Sequence, residues 1–129
     1  MSSHLSQDEA EVTAVVQKYI DAIALTRPSD MIEVFHPQAL MAAQFGGRLA
    51  ITAGKVGEMI VDYMSKLPPT FEHSPNFKGR VLSVKIHSDI AAVELAEDQL
   101  EGGDMKTFFL LNKTDGDWIV TAKATTNAA

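Results

Sequence analysis

The stretch VLSVKIHSDIAAVELAEDQLEGGDMKTFFLLNKTDGDWIVTAKAT, residues 81–125, decides the fold. Leu82, Val84 and Ile86 alternate with Ser83, Lys85 and His87, the spacing of a strand with one buried face. His87-Ser88-Asp89 is a polar break of hairpin length, after which Ala91, Val93 and Leu95 alternate with Ala92, Glu94 and Ala96. Gly102-Gly103-Asp104 and Asp115-Gly116-Asp117 supply residues that tolerate positive φ. The pattern predicts two hairpins joining three long antiparallel strands, curved around helices encoded earlier in the chain.

Phe108-Phe109-Leu110-Leu111 interrupts the alternation with apolar side chains on both faces. A strand of that composition is usually covered on both sides. Helices can cover only one of them, so the other is expected to meet a second copy, giving a homodimer through the sheet.

Upstream, Ser6-Gln7-Asp8-Glu9 has the form of a capping box, and Val12, Val15, Val16, Tyr19, Ile20 and Ile23 follow at helical spacing. Arg27-Pro28 closes that helix. Ser29-Asp30 offers an N-cap for a short helix from Met31 to Phe35, stopped by Pro37. Gly46-Gly47 between Ala39–Phe45 and Arg48–Thr52 is a hairpin signal. Thr52 can cap a third helix from Ala53 to Leu67, with Val56, Met59, Ile60, Tyr63, Met64 and Leu67 on its buried stripe. Pro68-Pro69 ends it, and Phe71 to Asn76 reads as an irregular crossing loop. Helices on one face of an antiparallel sheet make an α+β fold, and three helical segments on a curved sheet leave room for a cavity between them.

At 129 residues the chain has room for one core, so residues 1–129 are expected to form a single domain. Seventeen acidic against eleven basic residues leave a net charge of −6 without a basic stripe, so nucleic acid is not an expected partner. The absence of cysteine excludes disulfides, thiolate zinc sites and cysteine nucleophiles together. Met1-Ser2-Ser3-His4 lacks a basic-then-apolar signal, and no apolar run reaches membrane-spanning length. A cytoplasmic protein without a membrane partner is expected.

Three segments carry a family likeness: the helix ending Tyr19-Ile20-Asp21-Ala22, then Phe35-His36-Pro37-Gln38-Ala39, and the tail Leu110-Leu111-Asn112-Lys113-Thr114-Asp115-Gly116-Asp117-Trp118-Ile119-Val120. With the intervening pattern they cover nearly the whole chain. The chain resembles the nuclear-transport-factor-2-like superfamily, and within it the SnoaL-like group labelled "putative lumazine-binding". The resemblance implies a cone-shaped α+β domain with a pocket, N-terminal helices packed on a strongly curved antiparallel sheet, and a dimer. Relatives of that fold include ketosteroid isomerases, polyketide cyclases, dehydratases and epoxide hydrolases, together with non-catalytic binders. The chain departs from the nearer group at Ala122, which stands where Asn is common, and at Thr125, which stands in an aromatic place.

Several residues are candidates for chemistry. Tyr19 and Tyr63 are the only tyrosines, each on an apolar stripe, and either point hydroxyls into the cavity or bond to backbone as core residues. The resemblance to ketosteroid isomerase allows Tyr19 to stabilise an enolate oxygen. Glu97 or Asp98 is the candidate general base: continued alternation turns Glu97 and Gln99 toward the helices, whereas a bulge would substitute Asp98. His36 has a titration range suited to acid–base work or a structural role at a helix end, and His73 is a candidate lid residue. The four histidines have no metal-site spacing. Met41, Met64, Met105, Phe109 and Trp118, with Tyr63, are candidates for lining the ligand site. Lys123 is read as facing opposite to Trp118 and Val120, as a surface charge or a partner to an acid, with a Schiff-base lysine as the lesser alternative. The expected function is binding of a small apolar or carbonyl-bearing ligand, with proton transfer in a cofactor-independent isomerase, cyclase or lyase step. The alternative is a non-catalytic dimeric module whose cavity is filled by its own side chains.

Overall fold

The computed structural model describes residues 2–128, with side chains from Ser6 onward. Helix α1 runs Ser2–Ala24 and buries Val12, Val16, Tyr19, Ile20 and Ile23, a stripe recurring every three or four residues. The helix begins before the Ser6 capping box because nothing in residues 2–5 breaks it, and Ser6 therefore lies inside the helix. It ends in a left-handed turn at Thr26 (φ +53°), where the Arg27 amide donates to the Ala22 carbonyl at 2.9 Å and occupies one of the free carbonyls of the helix end.

Helix α2, Pro28–Val34, starts on the proline, whose missing N–H costs nothing in the first turn. Ser29-Asp30 consequently lies within the first turn and is not the cap. Strands β1 (Phe35–Phe45) and β2 (Arg48–Ala53) form the hairpin expected around Gly46-Gly47. Helix α3 spans Val56–Ser65, shorter than expected at both ends. Thr52 and Ala53 remain in β2, Gly54 (φ +79°) and Lys55 (φ +53°) turn the chain, and Lys55 takes the N-cap place. Gly57 allows a close approach between α3 and α2, since a Cβ there would lie 2.8 Å from the Ile32 Cα. The crossing loop contains one helical turn, α4, Thr70–His73.

The C-terminal half forms four strands where three were expected: β3 (Lys78–His87), β4 (Ile90–Leu100), β5 (Gly103–Thr114) and β6 (Asp117–Asn127). Three turns separate them, each containing residues at positive φ: Ser88, Glu101-Gly102 and Asp115-Gly116. All six strands join one sheet in the order β2-β1-β6-β5-β4-β3. The sheet is mixed, because β1 pairs parallel with β6 while every other neighbour is antiparallel.

Bulges decide which side chains face the helices. On β3 the register shifts between Val81 and Ser83, so Leu82 is turned out and 42% exposed, and Val81, Val84 and Ile86 pack against the core. On β6, Val120 pairs with Leu111 and Ala122 with Leu110, leaving Thr121 as an extra residue. The core lies between the helices and the inward residues of β4, β5 and β6, including Val93, Leu95, Phe109, Leu111, Trp118 and Val120. Gly79 on β3 is required by packing: a Cβ there would sit 2.6 Å from the Ile20 side chain.

Candidate functional site

Between α1, α3, α4 and the helix side of the sheet lies a cavity of about 330 Å³, within the usual range of small-molecule sites. Ile23, Met41, Ile60, Met64 and Met105 contribute apolar wall, and Tyr63 and His73 line it from α3 and α4. The polar groups converge at one place, contributed by α1, β4, β5 and β6.

Glu97 is the centre of that cluster. Strand alternation continues inward from Val93 and Leu95 to Glu97, which is only 2% exposed. A buried carboxylate without partners costs several kcal/mol on the order-of-magnitude scale for isolated charges, and here each oxygen has a donor. The Tyr19 hydroxyl donates to Oε2 at 3.0 Å, and the Thr107 hydroxyl donates to Oε1. Because Thr107 has one proton and gives it to Glu97, Thr125, whose oxygen is 2.8 Å away, donates to Thr107. The result is a hydroxyl chain from β6 through β5 to the acid on β4.

Tyr19 is fixed from its apolar side by Phe109, edge-on with centroids 4.9 Å apart, and by Phe35 at 6.2 Å. Its phenol is held well above the usual range, first by burial and then by the charge of Glu97 and the hydrogen bond to it. Lys123 places its Nζ 5.1 Å from the Tyr19 ring centroid. Burial lowers the ammonium's pKa, and the nearby Glu97 charge opposes that shift without cancelling it. Lys123 makes no hydrogen bond or ion pair among the described residues, and no enclosed side-chain nitrogen or oxygen among them lacks a partner. Its amine therefore opens onto the cavity, which it lines beside Glu97 and Thr125.

Lys123 faces the opposite way from the sequence expectation. Strict alternation from Trp118 and Val120 would send it outward, but the extra residue at Thr121 reverses the parity, so Lys123 and Thr125 point inward. The same reversal puts Ala122 on the other face, where an asparagine would not meet this cavity. Nothing in the side chains around Thr121 announces the bulge.

The remaining candidates divide by location. Met41, Met64 and Tyr63 line the cavity; Tyr63 is 52% exposed and donates to Glu101 at 2.8 Å, so it stands at the rim and not in the core. That hydrogen bond, with a smaller effect of burial, raises its pKa. Asp98 faces away from the cavity, paired with Arg80 at 2.7 Å, because it is one residue out of phase with Glu97. Gln99 does not line the cavity either, since β4 goes irregular after Glu97 and places Gln99 at φ +56°. Phe109 supports Tyr19 from below, and Trp118 is core, its indole donating to Asp8 at 3.2 Å; neither lines the cavity. The His36 Nδ1 accepts from the Gln38 amide at 3.0 Å, in the irregular part of β1 opposite Thr121, and the ring is likewise outside the cavity. His73 reaches the rim and lies 2.7 Å from the Ser74 hydroxyl. No cluster of three or more metal-binding side chains occurs among the described residues, and no helix among them is long and apolar enough to cross a membrane.

The family described as "Putative lumazine-binding" matches residues 7–125. The chain belongs to this family. Its fold is that of the nuclear-transport-factor-2-like (NTF2-like) superfamily. An NTF2-like protein of unknown function from Shewanella baltica superposes with a TM-score of 0.79 at 22% identity, over 93% of each chain. One from Methylobacillus flagellatus gives 0.81 at 22%, over 95% of this chain and 94% of that one. A protein from Streptomyces avermitilis, described as a "putative dehydratase from the NTF2-like family", gives 0.72 at 12%, over 96% and 98%. At these identities the likeness concerns the fold alone. No curated protein matches the chain by sequence. For this NTF2-like member, Thr107 is the site residue that sequence reasoning missed, and Lys123 is the one it assigned to the outer face. The available signal for Thr107 was its parity with Phe109 and Leu111 on β5, which places it inward.

Proposed function

We propose that this chain binds a small, largely apolar carbonyl compound in the cavity and that Glu97 exchanges a proton with the carbon next to the carbonyl. The observation that carries this reading is a carboxylate buried in an apolar chamber and oriented by two hydroxyl donors, Tyr19 and Thr107. Each carboxylate oxygen has a second lone pair, so the two hydrogen bonds orient Glu97 without occupying its capacity to accept a proton. The α C–H bond breaks toward Glu97, and the electron pair moves onto the carbonyl carbon–oxygen unit. Return of the proton to a different carbon gives isomerisation; departure of a β-substituent gives a lyase step. Tyr19 acts here as a positioning residue, because its single proton is already given to Glu97.

The name of the family and the dehydratase description of one structural relative are consistent with a small ligand. The open volume and the buried acid beside a tyrosine favour a ligand site over a module filled by its own side chains. We further propose that two copies associate through the outer face of the sheet, where Phe108 and Leu110 are each more than half exposed beside Leu40 and Ile51.

The test is hydrogen–deuterium exchange at the α carbons of cyclohexanone in heavy water, followed by proton NMR. The wild-type protein is expected to accelerate exchange, and Glu97→Gln to reduce that acceleration by about a hundredfold or more, the scale of general base catalysis. Equal exchange by the two proteins would overturn the assignment of Glu97.

A further inference from the structure

We infer that Lys123 is a nucleophilic amine that joins the carbonyl ligand as an imine. This deepens the ligand-pocket reading and rests on it. The first ground is placement: the β6 bulge turns Lys123 into the cavity, where its Nζ has no hydrogen-bonding or ionic partner among the described residues. Lys18, Lys66, Lys106 and Lys113 each hold a carboxylate within 3.2 Å, and Lys55, Lys78 and Lys85, also without one, lie outside this cavity.

The second ground is what the cavity lacks. Removing an α proton leaves negative charge on the carbonyl oxygen, which needs a donor or an electron sink. The Tyr19 and Thr107 hydroxyl protons go to Glu97, the Tyr63 proton goes to Glu101, and Thr125 donates to Thr107. Every hydroxyl of the polar cluster is thus engaged within the protein. Thr70 and His73 line the cavity from the α4 side, and beside Glu97 it is Lys123 that is left to act on the ligand's carbonyl, where a covalent iminium is a stronger electron sink than a hydrogen bond.

The steps balance without a co-reactant. The Nζ lone pair attacks the carbonyl carbon, forming a C–N bond and opening the C=O π bond. The amine loses a proton and the former carbonyl oxygen gains one, giving a carbinolamine, with Glu97 close enough to carry charge of the opposite sign beside the nitrogen. Protonation of that hydroxyl and loss of water leave a C=N bond to Lys123. The α proton then passes to Glu97 as the iminium receives the electron pair, giving an enamine. Glu97 returns the proton to a different carbon and re-forms an iminium, which one water hydrolyses to the free amine, the product and the proton taken up when the hydroxyl left. Burial favours the neutral, nucleophilic form of the amine that the first step needs.

Reductive trapping tests this in the wild-type protein. An ordinary lysine is neutral in only about one molecule in 2,500 at about pH 7, so a buried amine stands out by rate. The protein is treated with benzaldehyde and sodium cyanoborohydride, and benzyl transfer to each lysine is followed by peptide mass spectrometry. Lys123 is expected to react at least about tenfold faster than the fastest of the seven other lysines. Lys123→Arg should remove that fast site and leave the other seven rates unchanged. A wild-type rate at Lys123 no greater than at the surface lysines overturns the inference, whether or not the variant folds. Cyclohexanone exchange separates the two readings: exchange without preferential labelling removes the amine and keeps the proton-transfer pocket. Loss of both removes both, and labelling without exchange keeps the amine and removes the role of Glu97.

Discussion

The two faces of β4, β5 and β6 carry adjacent residues under opposite conditions. On the helix side, Leu95, Phe109 and Leu111 are at most 1% exposed, and the polar residues among them, Glu97, Thr107 and Thr125, are bonded to one another. On the outer side, Phe108 and Leu110 are 54% and 53% exposed, and the ionic residues form separate pairs, Glu94 with Lys106 and Asp98 with Arg80. Residue type alone does not separate the faces, since phenylalanine, leucine and a carboxylate occur on each. What separates them is whether helices exclude water, which turns a polar residue from a solvated charge into part of a fixed network.

The largest effect should come from exchanging the aromatic neighbours. Phe109→Ala removes the ring that supports Tyr19 and is expected to destabilise the fold by about 3–5 kcal/mol in denaturant titration. A cost below about 1 kcal/mol would show that the two faces are not as different as their burial implies.

Tyr19→Phe should cost about 1–3 kcal/mol, because Oε2 of buried Glu97 loses its donor. It also has a pH signature. The folded protein holds the Tyr19 proton more tightly than the unfolded chain, whose phenol releases it near pH 10 or so. The stability this contributes is complete below about pH 10 and is lost as pH rises through the folded value. Thermal unfolding of the variant should accordingly show a shallower alkaline decline than the wild type; parallel declines would contradict the Tyr19–Glu97 bond.

The smallest change in fold stability belongs to the outer face. The double variant Phe108→Asp with Leu110→Asp should alter monomer stability by no more than about 0.5 kcal/mol per site. Light scattering at micromolar concentration should report a dimer for the wild type and half that mass for the variant. A monomeric wild type would leave the outer face solvated and would make its apolar residues a feature of the surface.

Much of this architecture was legible in the residues. Glycines at Gly46-Gly47 and Gly116 marked turns, and alternation in β4 took Glu97 inward from Val93 through Leu95. Three turn signals within residues 81–125 require four strands, one more than the reading of two hairpins allowed. The parallel pairing of β1 with β6 depends on how distant segments are brought together, which no local pattern encodes. The bulges at Leu82 and Thr121 were hidden for another reason: each is set by how two strands share a bend, and ordinary side chains occupy them. Lys123 was assigned to the wrong face for that reason alone.

The extra residue at Thr121 makes the chamber's chemistry depend on how the backbone absorbs that residue. Losing one codon there would remove the bulge and keep the register, with Ala122 next after Val120 and on the outer face, and Lys123 still inward. Retaining Thr121 but pairing it in plain alternation would send the amine out and bring Ala122 and Ala124 in. A homologous chain with a gap at this point would thus keep the same chamber, whereas one of equal length that pairs without the bulge would carry the same composition and unlike reactivity, a form of divergence that comparison by percentage identity would pass over.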